Sequence, residues 1–238
     1  MQANILAGKT IVFDGDSICQ ATSETREICR GWPYRIGEKN GMKWHNFGIG
    51  GGTITAGMYS KVTGIARHWI SRNIDVIHEN FPKLDYLILE GGTNDADLID
   101  FESKQYGSVN PTDYSGNYDD STFCGACESL FFKVIHYYPK AKIGFIIAPK
   151  MGAEDEAVSA KRRAYFLTII DICKKWGIPY IDLWDGCPLN PRLEVYYDNN
   201  LDAQGNQEAG KAYVDGQHLT KVGYDIISPR IEAWIRTL

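Results

Sequence analysis

The sequence predicts an α/β protein: a parallel sheet of five strands with helices on both faces. Three observations carry that prediction. Short apolar, β-branched runs alternate with longer segments of helical spacing along the whole chain. Three of those runs lead straight into glycine-containing polar turns. The 238 residues, 44% hydrophobic and 23% charged, suit one domain spanning 1–238 with a sizeable core.

Thr10 to Phe13 reads as a buried first strand, ending in Asp14 and Gly15. A helical region is expected from near Ser17 and another over Trp32 to Asn40. Trp44 to Gly48 reads as the second strand, followed by the run Gly50, Gly51, Gly52. A long helix is expected over Met58 to Asn80, because Ile65, Trp69, Ile70, Ile74 and Ile77 recur at helical spacing. Leu84 to Glu90 is the third strand and delivers Gly91 and Gly92. A polar loop from Asp97 to Asp120 is too long for a simple connection. A helix over Thr122 to Tyr138, a fourth strand over Lys142 to Ile147 and a helix over Ala157 to Lys175 follow. That last helix turns Phe166, Ile169, Ile170 and Cys173 inward. Ile178 to Leu183 is the fifth strand, Gly186 to Ala212 a polar loop, and Lys221 to Arg236 the final helix.

The formal charge of −5 and the dispersed Lys and Arg argue against a nucleic-acid surface. No run approaches the roughly 18 apolar residues of a membrane span. The first residues lack a basic segment followed by an apolar run, so a cytoplasmic protein is expected. Six cysteines, at 19, 29, 124, 127, 173 and 187, then read as reduced thiols. Cys124 and Cys127 have the spacing of a metal or redox pair, but no second such pair supports a zinc site. They read as two small residues at a helix start, and no metal is expected.

In a parallel sheet, ligands bind outside the carboxyl ends of the strands. The motifs that follow strands one, two and three should therefore share one edge. Gly15-Asp16-Ser17 puts a hydroxyl just past a strand end, where a following helix start favours negative charge. By itself this pattern reads as an ordinary helix cap at Asp16 or Ser17. Asp215 stands three residues before His218, so its carboxylate can meet one imidazole nitrogen while the other faces a hydroxyl. Asn94, after Gly91 and Gly92, offers a side-chain amide, and Gly51 a bare backbone N–H, for an oxyanion. Asn94-Asp95 reads equally as a plain turn. The glycine run lacks phosphate-loop spacing, and Thr53 stands where a third glycine of a dinucleotide fingerprint would be.

Taken together, these blocks resemble the GDSL, or SGNH, hydrolase superfamily. Its Gly-Asp-Ser block matches Gly15-Asp16-Ser17, with Ile18 in place of leucine. Its glycine block matches the segment from Asn46 to Thr53, with Gly51 at the oxyanion position. Its Gly-x-Asn-Asp block matches Gly92 to Asp95, and its Asp-x-x-His block matches Asp215 to His218. The resemblance runs from about residue 9 to the C-terminus. It implies a three-layer, flavodoxin-like α/β/α fold and ester hydrolysis without a cofactor. It implies Ser17 as nucleophile, His218 as base, Asp215 as its orienter, and Ser17, Gly51 and Asn94 as the oxyanion hole. The Gly-x-Ser-x-Gly elbow of α/β-hydrolases occurs nowhere in the chain.

The polar residues flanking the blocks, among them Thr53, Thr55, Asp97 and Gln217, predict a short acyl group, foremost acetyl. The 6 Trp, 14 Tyr and 9 Phe, with Tyr196, Tyr197, Asn199 and Asn200 in the polar loop, suggest a wet groove for a carbohydrate ester. Acyl transfer to a sugar, a silent carbohydrate-binding module and a nucleotide-binding protein are the rival readings.

Overall fold

The computed structural model describes residues 4–21, 30–152, 155–198, 200 and 210–238. Five strands form one parallel sheet: β1 (Thr10–Asp14), β2 (Lys43–Asn46), β3 (Tyr86–Glu90), β4 (Lys142–Ile147) and β5 (Tyr180–Asp182). Their spatial order is β2-β1-β3-β4-β5, with every neighbouring pair parallel. This is the flavodoxin-like order, and its switch point lies between β1 and β3. The register sets Phe13 beside Asn46 on one side and Ile88 on the other, so the three strands end on the same edge of the sheet.

Among the described residues, eight helices accompany the sheet: α1 (Ser17–Gln20), α2 (Trp32–Asn40), α3 (Ile70–Asn80), α4 (Thr93–Leu98), α5 (Phe123–Tyr137), α6 (Glu156–Trp176), α7 (Leu183–Gly186) and α8 (Lys221–Ile235). Alternate strand residues point to opposite faces. Val12, Leu87, Leu89, Phe145 and Ile147 pack against α3, α5 and α6 through Ile74, Phe131 and Phe166. Ile11, Phe13, Ile88 and Ile146 pack against α2 and α8 through Trp32, Ile36, Ile227 and Ile231. With both faces covered, the inner strands read as continuous apolar runs rather than alternating ones. The result is a three-layer α/β/α fold. Among the described residues, no helix is long and apolar enough to cross a membrane.

Local chemistry sets the helix starts. The Asp155 side chain accepts from Ala157 N and Val158 N at the head of α6, and Thr220 accepts from Val222 N and Gly223 N at the head of α8. Pro33 stands in the first turn of α2.

One predicted element is half wrong. The helix expected over Met58 to Asn80 begins only at Ile70. The preceding residues form a small hairpin, with Tyr59 bridged to Ala66 antiparallel. Ser60 Oγ accepts from Val62 N and Thr63 N, a local turn that competes with helix. Gly57 and Gly64 take φ values of +71° and +68°, outside the helical region. Ile65 is 68% exposed, so its helical spacing from Trp69 was coincidental. The third and fifth strands are shorter than expected, and α4 and α7 were not anticipated. Of the polar loop from Gly186, residues 199 and 201–209 lie outside the described residues, as does Cys29.

Candidate active site

The corner that carries Ser17 follows from one close approach between strand ends. β1 and β3 end side by side, so a Cβ at residue 15 would lie 2.7 Å from the Glu90 carbonyl oxygen. Only glycine passes there. Asp16 then caps α1, its Oδ1 accepting from Ile18 N at 2.9 Å. The cap is therefore Asp16, and Ser17 is the first helical residue, its hydroxyl turned outward. Ser17 Oγ lies 2.9 Å from His218 Nε2.

A tight turn presents His218. Tyr213 bridges Leu219 antiparallel, and Val214 N donates to the His218 carbonyl at 2.8 Å. Gly216, at φ +77°, closes the turn. Asp215 Oδ1 accepts from His218 N at 2.7 Å and Gln217 N at 3.0 Å, which fixes the carboxylate. Its Oδ2 then meets His218 Nδ1 at 2.7 Å. Burial pulls the His218 pKa down, but the hydrogen bond and charge of Asp215 outweigh it and hold it above the ordinary 6.5. Burial pushes Asp215 up, and its bonds to His218 bring it below the usual carboxylate range. The arrangement suits an imidazole that takes a proton from Ser17 and is stabilised once charged.

The donors stand opposite. Ile49 to Gly52 form a turn closed by Gly52 N donating to the Ile49 carbonyl at 3.0 Å, with Gly51 at φ +76°. Gly50 N is taken by Gln20 Oε1 at 2.9 Å. The Gly51 N–H meets no acceptor among the described residues. Asn94, the second residue of α4, donates from Nδ2 to the Gly52 carbonyl at 2.9 Å and to Asp16 Oδ2 at 3.3 Å. All five predicted residues thus line one cleft of about 420 Å³, with Gln20, Gly50, Arg67, Val214 and Gln217 completing the wall.

Several supporting residues were not found in the sequence. Asp95 is no plain turn residue: it is wholly buried and binds Thr55 and Ile54 in the loop after β2. Its position beside Asn94 was the available signal. Glu90, also wholly buried, accepts from Asp16 N at 3.3 Å. Burial, then the neighbouring Asp16 charge, push its pKa well above 4.5. A carboxylate closing an apolar strand was the sign that went unread. Arg162 reaches from α6 to Asp97 with two bonds of 3.0 Å and to Gln217 Oε1 at 2.8 Å, bracing the histidine turn. Arg67 escaped notice because its segment was read as helix.

Cys124 and Cys127 point into the core from α5, and burial pushes Cys124 up to about 11. Among the described residues, no cluster of His, Cys, Asp and Glu could hold a metal ion. No aromatic residue lines the cleft among the described residues, and Tyr196 and Tyr197 pack against the α2–α8 core instead. The wet groove read from that loop is not where those tyrosines lie; Asn199 falls outside the described residues.

A flavodoxin-like sheet carrying these four blocks at its carboxyl edge is the architecture of the SGNH class of hydrolases. The profile of the GDSL-like Lipase/Acylhydrolase family matches residues 13–226, and the chain belongs to that family of carboxylic ester hydrolases. No curated protein sequence matches the chain. Solved structures share the fold at low identity. A carbohydrate acetylesterase from Sinorhizobium meliloti is 14% identical with a TM-score of 0.65, covering 96% of this chain and 99% of its own. The M. smegmatis aryl esterase is 16% identical with a TM-score of 0.61, covering 97% and 100%. An acetyl xylan esterase from Geobacillus stearothermophilus is 17% identical with a TM-score of 0.57, covering 98% and 97%.

Proposed function

We propose that the chain is a serine esterase that removes short acyl groups, foremost acetyl, from a carbohydrate alcohol through an acyl-enzyme. The observation that carries the reading is the line from Ser17 Oγ to His218 Nε2 at 2.9 Å and from His218 Nδ1 to Asp215 Oδ2 at 2.7 Å. His218 takes the Ser17 proton as Oγ attacks the ester carbonyl carbon. The carbonyl π electrons pass to oxygen, and the oxyanion accepts from the N–H groups of Ser17 and Gly51 and from Asn94 Nδ2. Asn94 reaches it by exchanging the longer of its two bonds, the one to Asp16. The imidazolium then returns its proton to the alcohol oxygen as the ester C–O bond breaks. Water attacks the acyl-enzyme with His218 again as base, and the carboxylic acid leaves. No step asks for a cofactor.

The short acyl group is supported by the cleft wall, whose one aliphatic side chain among the described residues is Val214. Each methylene of a long chain contributes about 0.8 kcal/mol only when covered by apolar surface. The carbohydrate alcohol is supported by that polar wall and by the acetylated-sugar esterases among the fold relatives. The test is kcat/KM on acetyl, butyryl, octanoyl and palmitoyl esters of one leaving group, with acetylated oligosaccharides alongside. Acetyl should lead and the sugars should be cleaved. A maximum at octanoyl or beyond, or inactivity on every acetylated sugar, contradicts the corresponding part.

A further inference from the structure

One charged group in the cleft wall has no part in the steps above. Arg67 lies at the foot of the Tyr59–Ala66 hairpin, where its N–H donates to the Met58 carbonyl at 2.8 Å and anchors its backbone. Its guanidinium lies against the oxyanion glycine so closely that a Cβ on Gly51 would collide with Arg67 Nη1. Among the described residues it is the one Lys or Arg lining the cleft, and its Nε is buried with no hydrogen-bond partner among them.

The other arginines set the contrast. Among the described residues, five arginines are buried or half-buried: Arg35, Arg67, Arg162, Arg163 and Arg236. Arg35 holds Asp225, Arg162 holds Asp97, Arg163 holds Asp182 and Asp185, and Arg236 holds Glu232. Of these five, Arg67 alone holds no carboxylate of the described residues. Withdrawing a guanidinium from water without a counter-ion is costly, and the fold bears that cost beside its reactive serine. The Asp215 carboxylate in the same wall is committed to His218 and its turn. A planar fork of N–H donors with no partner among the described residues matches a carboxylate better than any neutral group.

We propose that Arg67 binds a carboxylate on the substrate, close to the scissile ester, so that the preferred ester is an acidic one. The inference rests on Ser17 as the nucleophile of this cleft. The carboxylate has two possible sources: the alcohol, as in an acetylated uronic acid, or the acyl group, as in a half-ester of a dicarboxylic acid. In either case it replaces water where the guanidinium faces the cleft and draws the ester carbonyl toward Gly51.

Two measurements test it. The first compares kcat/KM in matched pairs for the native enzyme, Arg67→Lys and Arg67→Gln. The alcohol pair is acetylated methyl glucuronoside against acetylated methyl glucoside. The acyl pair is a succinyl half-ester against the butyryl ester of the same alcohol. The native enzyme should favour the acidic member of one pair by roughly tenfold to a hundredfold, the range of a charged hydrogen bond. Arg67→Gln should bring that ratio to about one through KM, and Arg67→Lys should keep part of it. The second measurement needs no turnover: glucuronate or succinate should raise the Tm of Ser17→Ala protein, and should not do so once Arg67→Gln is added. A native preference for the neutral member of both pairs, or an acid preference untouched by Arg67→Gln, overturns the assignment. Carboxylate stabilisation that survives Arg67→Gln overturns it too, even if Ser17 proves not to be the nucleophile.

Discussion

Thr55 is bound to Asp95 twice, through its backbone N–H at 2.9 Å and its Oγ1 at 2.6 Å, both on Asp95 Oδ1. Ile54 N takes the other oxygen at 3.0 Å. One buried carboxylate therefore ties the loop after β2, which carries Gly51, to α4, which carries Asn94. Two of the three donors of the proposed oxyanion hole thus share a common anchor.

Removing that anchor should be felt in both stability and rate. Asp95→Ala leaves two backbone N–H groups and a hydroxyl buried without partners, at about 1–3 kcal/mol each. We expect a loss of roughly 3 kcal/mol or more in urea unfolding, and a fall in kcat exceeding any rise in KM. Unchanged stability would mean that water reaches this junction and that Asp95 anchors nothing.

The pH–rate profile should follow His218. The imidazole must be neutral to accept the Ser17 proton, and Asp215 raises its pKa above 6.5. The rate should fall on acidification with a midpoint above 6.5, the ordinary value. Asp215→Asn removes the group that raises the pKa, so its residual activity should have a lower midpoint. Its kcat should fall by roughly 10⁴. A profile flat down to about pH 4 rules out histidine as the base.

Glu90 predicts a pH-dependent stability. Its folded pKa lies well above the 4.5 it would have unfolded, raised by burial and then by the Asp16 charge. Between those two values the folded chain keeps a proton that the unfolded chain releases. Its contribution is therefore most favourable below pH 4.5 and falls as pH rises through the window. Glu90→Gln has the same shape and does not titrate. The Tm of the variant relative to native should rise between pH 4 and pH 8. A difference that is constant or falling over that range contradicts a buried, proton-retaining Glu90.

The five strands and the four motif blocks were legible because each rests on a local rule. An apolar run reads as a buried strand, and a glycine-polar turn after it marks the carboxyl edge. The Asp215–His218 pair was legible because three residues of one turn fix its geometry. The hairpin at Tyr59 to Ala66 was not legible. Trp69 keeps helical spacing from Ile65, and only Ser60, Gly57 and Gly64 give the turn away. Asp95, Glu90 and Arg162 were illegible for a different reason. Their roles depend on partners 41, 74 and 65 residues distant, brought together only when the loop after β2, the ends of β1 and β3, α4 and α6 meet. Arg67 combines both difficulties, since its segment was misread and its significance lies in a missing partner.

The most direct test of the central claim is active-site labelling. A fluorophosphonate should modify one serine, Ser17, identified by mass spectrometry of the labelled peptide, with activity lost in step with modification. Ser17→Ala should remain folded, take no label and lose on the order of 10⁶ in kcat. Label on any other residue, or an active Ser17→Ala protein, would contradict the account.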